Sequence, residues 1–231
     1  MSIYFDGIND YAGYGGSLGS TTGHPLTLAC WVYRTNLAAA NQTVIAYGDG
    51  GGSDNHSVYL RTSATAQAQA TTRNASSAVS ASTTETAMES VWHHYAGVYS
   101  ATNSRIAYLD GASASQSTEQ GSLNAFDEFV VGKNLASTLL FQGYLGHVAV
   151  WKSALSAGQI ASLAAGANPQ AIDAANLVAY YPMTNSGAAG EDIVGGYDLT
   201  LYNGAAYNSE NPTVDAYGTP IKSRLMLMGI G

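Results

Sequence analysis

The sequence predicts an all-β domain, a two-sheet antiparallel sandwich with one short late helix. Three observations predict this fold class. Apolar and polar residues alternate along many short runs, which is the pattern of half-buried strands. Turn residues of the types Gly, Asp and Asn separate these runs at short intervals. Helical spacing of apolar side chains stands out only in residues 153–166.

The first half of the chain reads as strands joined by turns. Residues 2–5 precede the turn "DGIND", and residues 26–34 alternate strictly. Further strands are expected at 43–48 and 56–61. Residues 62–84 are rich in Ala, Ser, Thr and Gln, and we interpret them as two polar strands rather than as a disordered segment.

Residues 91–100, "VWHHYAGVYS", form another predicted strand with two distinct faces. Strand neighbours point to opposite sides of a sheet, so this pattern predicts one row facing the core and a second row facing away. The predicted core-facing row is Trp92, His94, Ala96 and Val98, and the opposite row is His93, Tyr95, Gly97 and Tyr99. The next strand ends at Asp110-Gly111, a strong hairpin signal.

The one predicted helix carries its own start and stop signals. Ser156 is a suitable N-cap, Gly166 a suitable end, and Pro169 follows shortly after. The packing side is expected to consist of Leu155, Ile160 and Leu163. Strands are expected on both sides of this helix, at 127–133 and 141–152 before it and at 176–183 and 197–204 after it.

No linker divides the chain, so we expect one domain over residues 1–217, followed by a tail over 218–231. The tail is apolar and carries Lys222 and Arg224. Exposed apolar segments rarely stay free in water. The tail is therefore expected either to dock on its own domain or to add a strand to a partner.

Charge and composition exclude several partners. Charged residues make up 10% of the chain and the net charge is −8, without a run of Lys or Arg. This balance argues against nucleic-acid binding and against adhesion to an anionic membrane. Cys30 is the only cysteine, so no intrachain disulfide is expected, and its alternating context predicts a buried thiol.

Several blocks of sequence, in this order, resemble the laminin-G-like, concanavalin A-like lectin superfamily over residues 2–202. They are "FDGINDYAGYG", "LTLACWVY", "WHHYAGVY", "IAYLDG", "FVVGKN", "FQGYLGHVAVWKSALSAGQIASL" and "NLVAYYPM". The resemblance implies a jelly roll of two curved antiparallel sheets. It also implies that Trp31 and Trp92 pack near or between the sheets, and that His94 is buried and hydrogen-bonded. His93, facing the other way, is expected to be exposed or to line the second sheet.

Some relatives of this fold are glycoside hydrolases, which need two suitably spaced carboxylates. The acidic pairs here are Asp127-Glu128 and Glu191-Asp192. Adjacent carboxylates on a strand face opposite sides, and the Glu-x-Asp-x-x-Glu pattern of one hydrolase branch is absent. The sequence therefore predicts a protein that is not an enzyme.

The resemblance also implies calcium at the rim of the sandwich, held by carboxylate, amide and carbonyl oxygens. The spacing of these oxygen ligands is not unique to calcium, so water-solvated turns are the alternative for each loop. Asp192, in "EDIVGGYDLT", either caps the Gly195-Gly196 turn or donates an oxygen to an ion. The candidate ligands are Asp6, Asn9 and Asp10; Asp49, Ser53, Asp54 and Asn55; and Asp192.

Tyrosine is abundant, with 16 residues against 4 phenylalanines. Its ring stacks on apolar faces while its hydroxyl forms hydrogen bonds, which suits sugars and polar protein interfaces. Rings that pack at a sheet edge with a solvated hydroxyl are the alternative. The candidate sugar-binding residues, on strands that could line a concave sheet, are Tyr47, Tyr59, Tyr95, Tyr99 and Tyr108.

A polar, weakly charged surface is common on proteins that work outside cells, yet "MSIYFDG" lacks the pattern of a secretion signal. A virus particle would explain both the extracellular type of surface and the lack of a secretion signal, since its proteins assemble in the host cytoplasm and are later exposed outside the cell. We therefore expect a non-enzymatic module on the surface of a virion, either a capsid decoration or a tail-fibre component. Its expected partners are virion proteins or cell-surface glycans, and it could form homo-oligomers. The alternatives are an extracellular bacterial carbohydrate-binding or adhesion module and a glycoside hydrolase.

Overall fold

The protein is described by a computed structural model that covers residues 1–19, 23–36, 41–50, 56–74, 77–117, 126–184, 186–210 and 212. In these residues fifteen strands form two antiparallel sheets, one of eight strands and one of seven, and one α-helix lies late in the chain. The predicted fold class is therefore confirmed. The predicted boundary at residue 217 and the tail 218–231 lie outside the described residues.

The eight-stranded sheet has the strand order β10-β9-β8-β3-β12-β1-β15, and β13 pairs with β12 beside β1. Numbered along the chain, its strands are β1 (Ser2–Asp6), β3 (Leu26–Arg34), β8 (Trp92–Ala101), β9 (Ser104–Leu109), β10 (Ala112–Ser117), β12 (Gln142–Trp151), β13 (Leu177–Tyr181) and β15 (Ala206–Asn208).

The seven-stranded sheet has the strand order β14-β2-β11-β4-β5-β6-β7. Its last two members confirm the two polar strands predicted within residues 62–84. The strands are β2 (Tyr11–Gly15), β4 (Gln42–Gly48), β5 (His56–Thr62), β6 (Ala68–Asn74), β7 (Ser77–Ser82), β11 (Glu128–Val131) and β14 (Thr200–Tyr202).

The main core lies between the two sheets, and Cys30 belongs to it with no exposed surface. The prediction of a buried thiol is confirmed, and this burial raises the pKa of Cys30. Tyr95 and Tyr99 of β8 also point into this core.

The predicted orientation of β8 was wrong. Ala96 and Val98 lie on the outer face of the eight-stranded sheet, in a second core with Trp151. Both faces of β8 are covered, because the helix packs over the outer one. Alternation reveals two rows of side chains, but it does not reveal which covering layer each row meets.

Helix α1 (Ala157–Ala164) supplies that outer cover, and its predicted signals are confirmed. Ser156 Oγ accepts a hydrogen bond from Gln159 N–H, and Gln159 Oε1 accepts one from Ser156 N–H, which forms a capping box. Leu155, Ile160 and Leu163 are buried in the second core. Gly166 follows with φ +93°, a conformation that favours glycine.

The predicted Asp110-Gly111 hairpin joins β9 to β10, and both residues have positive φ, as primed turns require. Asp110 also fixes the neighbouring strand, because its carboxylate lies 2.7 Å from His93 Nδ1 and accepts a hydrogen bond from His94 N–H. Met88 N–H donates to His93 Nε2, so the proton of a neutral His93 ring lies on Nδ1. His93 is thus a buried structural residue.

Among the residues that the structure describes, no helix is both long and apolar enough to cross a bilayer.

Candidate functional site

The five tyrosines predicted to bind sugars all lie on strands, and all are buried. Tyr47, Tyr95 and Tyr99 have no exposed surface and belong to the main core. The hydroxyl of Tyr47 accepts a hydrogen bond from Leu18 N–H, and that of Tyr99 donates to the carbonyl oxygen of Tyr59. The structure therefore gives these three rings a packing role.

Tyr59 and Tyr108 are each 3% exposed. Tyr108 lies under helix α1 in the second core. Tyr59 lies on the outer face of the seven-stranded sheet, against Val130 and Leu135. A ring without an open face cannot stack on a saccharide, so the burial of the five tyrosines does not support the proposed stacking surface.

A different set of aromatic side chains is accessible. Tyr4, Tyr144, Tyr33 and Trp92 lie directly opposite one another on the adjacent strands β1, β12, β3 and β8. Successive ring centroids are 5.0, 5.5 and 5.5 Å apart. We call these four residues the aromatic row. Each is partly exposed on the outer face of the eight-stranded sheet, beyond the part that helix α1 covers.

The geometry of the aromatic row suits an extended ligand. Four strands span three inter-strand spacings, about 14 Å in all. Neighbouring planes are inclined to one another by 50°, 79° and 58° along the row. Neighbouring rings therefore meet at an angle rather than in a flat stack, and together they offer apolar contacts and three tyrosine hydroxyls.

A pocket of about 160 Å³ opens beside the aromatic row, between it and helix α1. We call it the histidine pocket. Its lining combines aromatic, imidazole and small side chains, and the described residues that form it include no Asp, Glu, Lys or Arg. The lining residues that matter below are Trp31, His94, His147, Trp151, Asn168 and Tyr180.

His94 is a neutral, buried member of this pocket. Its pKa is lowered to about 4, chiefly by burial; Asp110 opposes this shift and His147 adds to it. Trp31 packs edge-on against the His94 ring at 5.5 Å. Within the described chain neither ring nitrogen of His94 has a hydrogen-bond partner, and Nδ1 is fully buried. The predicted burial is confirmed, but the expected hydrogen bond to the ring is not formed; the backbone N–H makes it instead.

His147 reaches the pocket through a β-bulge in β12. The side chains of Leu145 and Val148 both point into the main core, so the two residues between them lie on the outer face. His147 adopts φ +49°, which is uncommon for a residue with a side chain. Its Nδ1 lies 2.7 Å from the hydroxyl of Tyr180, and burial lowers its pKa to about 4.

Trp31 and Trp92 were expected near or between the sheets, and the structure places both on the outer face of the eight-stranded sheet. Trp31 belongs to the pocket and Trp92 ends the aromatic row. Sequence reasoning missed the row, although Tyr4, Tyr33 and Tyr144 are visible as strand aromatics. The missing information was the register, which places residues from four distant segments side by side.

The calcium candidates are separated in the structure. Asp6 Oδ1 accepts hydrogen bonds from Ile8 N–H and Asn9 N–H, which chiefly lower its pKa. Asp10 is 3% exposed; its Oδ2 accepts a hydrogen bond from Asp6 N–H, while Oδ1 is buried and has no partner among the residues that the structure describes. Burial raises the pKa of Asp10, and the Asp6 charge adds to the shift.

Asp192 is a turn cap. Its two carboxylate oxygens accept four backbone hydrogen bonds, at 2.8 to 3.1 Å. Such a saturated carboxylate has little capacity left for a cation. The four donors are the N–H groups of Tyr180, Val194, Gly195 and Tyr197. Of the predicted alternatives for "EDIVGGYDLT", the structure therefore favours the capped turn that leads into β14.

The remaining calcium candidates form no cluster. Asp49 directly follows β4 and is partly exposed, while Ser53, Asp54 and Asn55 lie outside the described residues. In the described part of the chain, no three His, Cys, Asp or Glu side chains come together as a metal site. Among the described residues, Asp10 Oδ1 is a candidate ligand atom that is buried without a hydrogen-bond partner.

The comparisons with known proteins agree with this architecture. A family model described as "Concanavalin A-like lectin/glucanases superfamily" matches residues 6–161, more than half of the chain. The sequence matches no curated protein.

Three solved structures share the fold at low sequence identity. A native heptameric SAP-like pentraxin from Limulus polyphemus is 14% identical with a TM-score of 0.65, over 90% of this chain and 95% of that one. A putative carbohydrate-binding protein from Bacteroides ovatus is 18% identical with a TM-score of 0.64, over 89% of this chain and 59% of that one. The CBM40 of the Ruminococcus gnavus IT-sialidase is 13% identical with a TM-score of 0.56, over 71% and 98%.

Proposed function

This chain belongs to the concanavalin A-like lectin/glucanases superfamily, and we propose that it is a non-enzymatic glycan-binding module of that fold. The aromatic row is the observation that carries the proposal. Partly exposed rings on adjacent strands provide what a saccharide needs, an apolar surface for its C–H faces beside hydroxyl groups for its polar edge. Solved neighbours whose names denote carbohydrate binding support the same class of ligand.

The acidic side chains support a role in binding rather than in hydrolysis. Asp127 accepts a hydrogen bond from Gly50 N–H, and Asp192 is occupied by the four N–H groups of its turn. Neither of these two carboxylates lines the histidine pocket. Glu210 lies close enough to Tyr144 of the aromatic row to contribute to the raised pKa of that tyrosine, but a glycosidase would need two suitably spaced carboxylates there.

Replacement of Tyr33 or Trp92 with alanine is expected to weaken glycan binding about tenfold or more for each ring, because a packed aromatic anchor contributes on the order of 2 kcal/mol. An immobilised glycan array identifies the best-bound oligosaccharide, and calorimetric titration of wild type and variants measures the loss.

Tyr202→Ala is the matched control for these variants. Tyr202 is 40% exposed and stacks on Tyr11 at the edge of the other sheet, so its removal leaves the aromatic row intact. Equal losses in all three variants, or unchanged affinity in Tyr33→Ala and Trp92→Ala, would contradict the assignment of the row.

We further propose that the turn at Asp6 and Asp10 holds a calcium ion, which would neutralise the unpaired oxygen of Asp10. Calcium at about 100 times its Kd should raise the melting temperature by roughly 5–10 °C, since such saturation contributes about 2.7 kcal/mol. Asp10→Asn should abolish this response. If calcium leaves the melting temperature of the wild type unchanged, the proposal that this turn binds calcium is wrong.

For location we propose the surface of a virion, as a capsid decoration or tail-fibre component with virion proteins as partners. The support is the low charge density of the chain. Mass spectrometry of purified particles from the source tests this. If the purified particles lack this protein and it is found free in the medium, the result would favour an extracellular carbohydrate-binding module instead.

A further inference from the structure

We infer that the histidine pocket binds one neutral sugar ring, the unit at one end of a glycan that lies along the aromatic row. The inference rests on the proposed function for the origin of that ring. The histidine pocket would then be a second region of the binding face, one that determines specificity by selecting uncharged sugars.

The size of the pocket sets the size of the ligand. Its volume is about 160 Å³. An engineered protein cavity of about 150 Å³ is known to hold benzene, and that volume corresponds to about five liquid water molecules. The histidine pocket therefore suits one six-membered ring and is too small for a disaccharide.

The walls of the pocket match the two sides of a sugar ring. Trp31 is 7% exposed and contributes apolar aromatic surface, which suits part of the C–H face of a pyranose, whereas Trp151 and Tyr180 are 0% and 4% exposed and support the wall from beneath the pocket surface. His94, His147 and Asn168 contribute hydrogen-bonding groups, which suit its hydroxyls. A purely hydrocarbon ligand would leave these polar groups unpaired.

The electrostatics of the pocket select against charged ligands. Among the described residues, no Asp, Glu, Lys or Arg lines the pocket, and both imidazoles are neutral near pH 7 because burial lowers their pKa values to about 4. The charge of the Met1 amino group also lowers the pKa of His147, but burial lowers the pKa of that amino group to about 6, so it is mostly uncharged near pH 7. An anionic or cationic ligand would lose its hydration without gaining a countercharge. The pocket is thus expected to reject N-acetylneuraminic acid while it accepts neutral hexoses.

The ring nitrogens of His94 can form hydrogen bonds, but they form none with the described part of the chain. Buried polar groups are almost always hydrogen-bonded, and exceptions call for an explanation. His94 is 2% exposed, and neither ring nitrogen has a partner in the described chain. Nδ1 has no accessible surface, so a hydroxyl-bearing ligand in the pocket would bond to the ring through Nε2.

His147 adds a second, independent sign of function. The bulge turns its side chain out of the main core and into the pocket, at the expense of a left-handed backbone conformation. Strained residues and bulges of this kind concentrate at binding sites, where they aim a side chain. Tyr180 then holds the ring in place, with Nδ1 and the hydroxyl 2.7 Å apart.

The pocket and the aromatic row share one face, so a single glycan can reach both. Trp31 lies two residues before Tyr33 on β3, and His94 lies two residues after Trp92 on β8. Two residues along a strand correspond to about 6.7 Å on the same side of the sheet. This distance is about one sugar unit.

The test is a titration of the full chain with single sugars, followed through the imidazole 1H–15N signals of His94 and His147. The probes are D-glucose, D-galactose, D-mannose and N-acetyl-D-glucosamine, with N-acetylneuraminic acid as the charged control, each up to about 20 mM to cover millimolar affinities. We expect at least one neutral sugar to shift both signals along a saturating curve, and the acidic sugar to shift neither.

His94→Phe separates a binding role from a structural one. Phenylalanine preserves the ring and removes two unpartnered nitrogens, so we expect an equal or higher melting temperature. Sugar affinity, followed through His147, should fall about tenfold, the effect of one lost hydrogen bond of ordinary strength. A lower melting temperature with unchanged sugar affinity would assign His94 to the fold and overturn the inference.

The outcomes also separate this inference from the proposed function. In one outcome, oligosaccharides bind with an affinity that depends on Tyr33 and Trp92, but no single sugar shifts the imidazole signals of His94 or His147. The aromatic row then binds glycans, the histidine pocket holds only water, and the inference fails. If single sugars shift both histidines while the glycan array stays blank, the pocket stands and the role of the row fails.

Discussion

Asp192→Ala is expected to lower the free energy of unfolding by about 2–3 kcal/mol, because one buried and three part-buried N–H donors lose their acceptor, and a buried donor left unmet costs roughly 1–3 kcal/mol. The Asp192 carboxylate accepts hydrogen bonds from the N–H groups of Tyr180, Val194, Gly195 and Tyr197. Urea unfolding, compared at equal m-values, measures the loss.

Glu191→Ala is the matched control for this prediction. Glu191 is the adjacent carboxylate in sequence but is exposed, so its removal should change the unfolding free energy by less than about 0.5 kcal/mol. Equal stabilities of the two variants would mean that water replaces the Asp192 oxygens. The prediction also bears on the site, since the N–H that Asp192 holds in β13 belongs to Tyr180, a wall of the histidine pocket.

Trp151→Ala is expected to destabilise the fold by about 3–5 kcal/mol, the range for truncation of a fully buried large aromatic residue. Trp151 has no exposed surface, packs in the second core with Ile160 and Leu163, and donates its indole N–H to the carbonyl oxygen of Ile172 at 2.7 Å. The variant loses both the packing and the hydrogen bond. Chemical denaturation of the purified chain provides the measurement.

Trp151→Phe serves as the graded control. It preserves most of the packing but removes the N–H donor, so we expect a smaller loss of stability than for alanine. A Trp151→Ala variant as stable as wild type would show that the second core can collapse around the void. Helix α1 would then be a dispensable cover rather than a structural layer.

Short sequence patterns predicted much of the fold, because the interactions behind those patterns join residues that are close in sequence. The capping box at Ser156 and the positive-φ pair Asp110-Gly111 depend on residues within a few positions of one another. Strand alternation and turn spacing likewise depend on neighbours in sequence, so the two-sheet fold with one late helix could be predicted.

The candidate site was predicted only in part, because its members come from distant segments. Tyr4, Tyr33, Trp92 and Tyr144 are ordinary strand aromatics until pairing places them in one row. The sequence singled out Tyr47, Tyr95 and Tyr99 by the same criterion, an aromatic residue on a strand, yet these three rings fill the core. Periodicity distinguishes two faces of a strand, while exposure depends on the layer that covers each face.

The sequence by itself determined the kinds of element, their order along the chain, the helix caps and the hairpin turns, because those depend on backbone geometry and nearby side chains. Only the tertiary structure decided which rings are accessible, that His94 has no hydrogen-bond partner for its ring, and that a bulge turns His147 toward Trp31 and Tyr180. Register and layer packing set these features, and both arise from contacts between residues that are tens of positions apart.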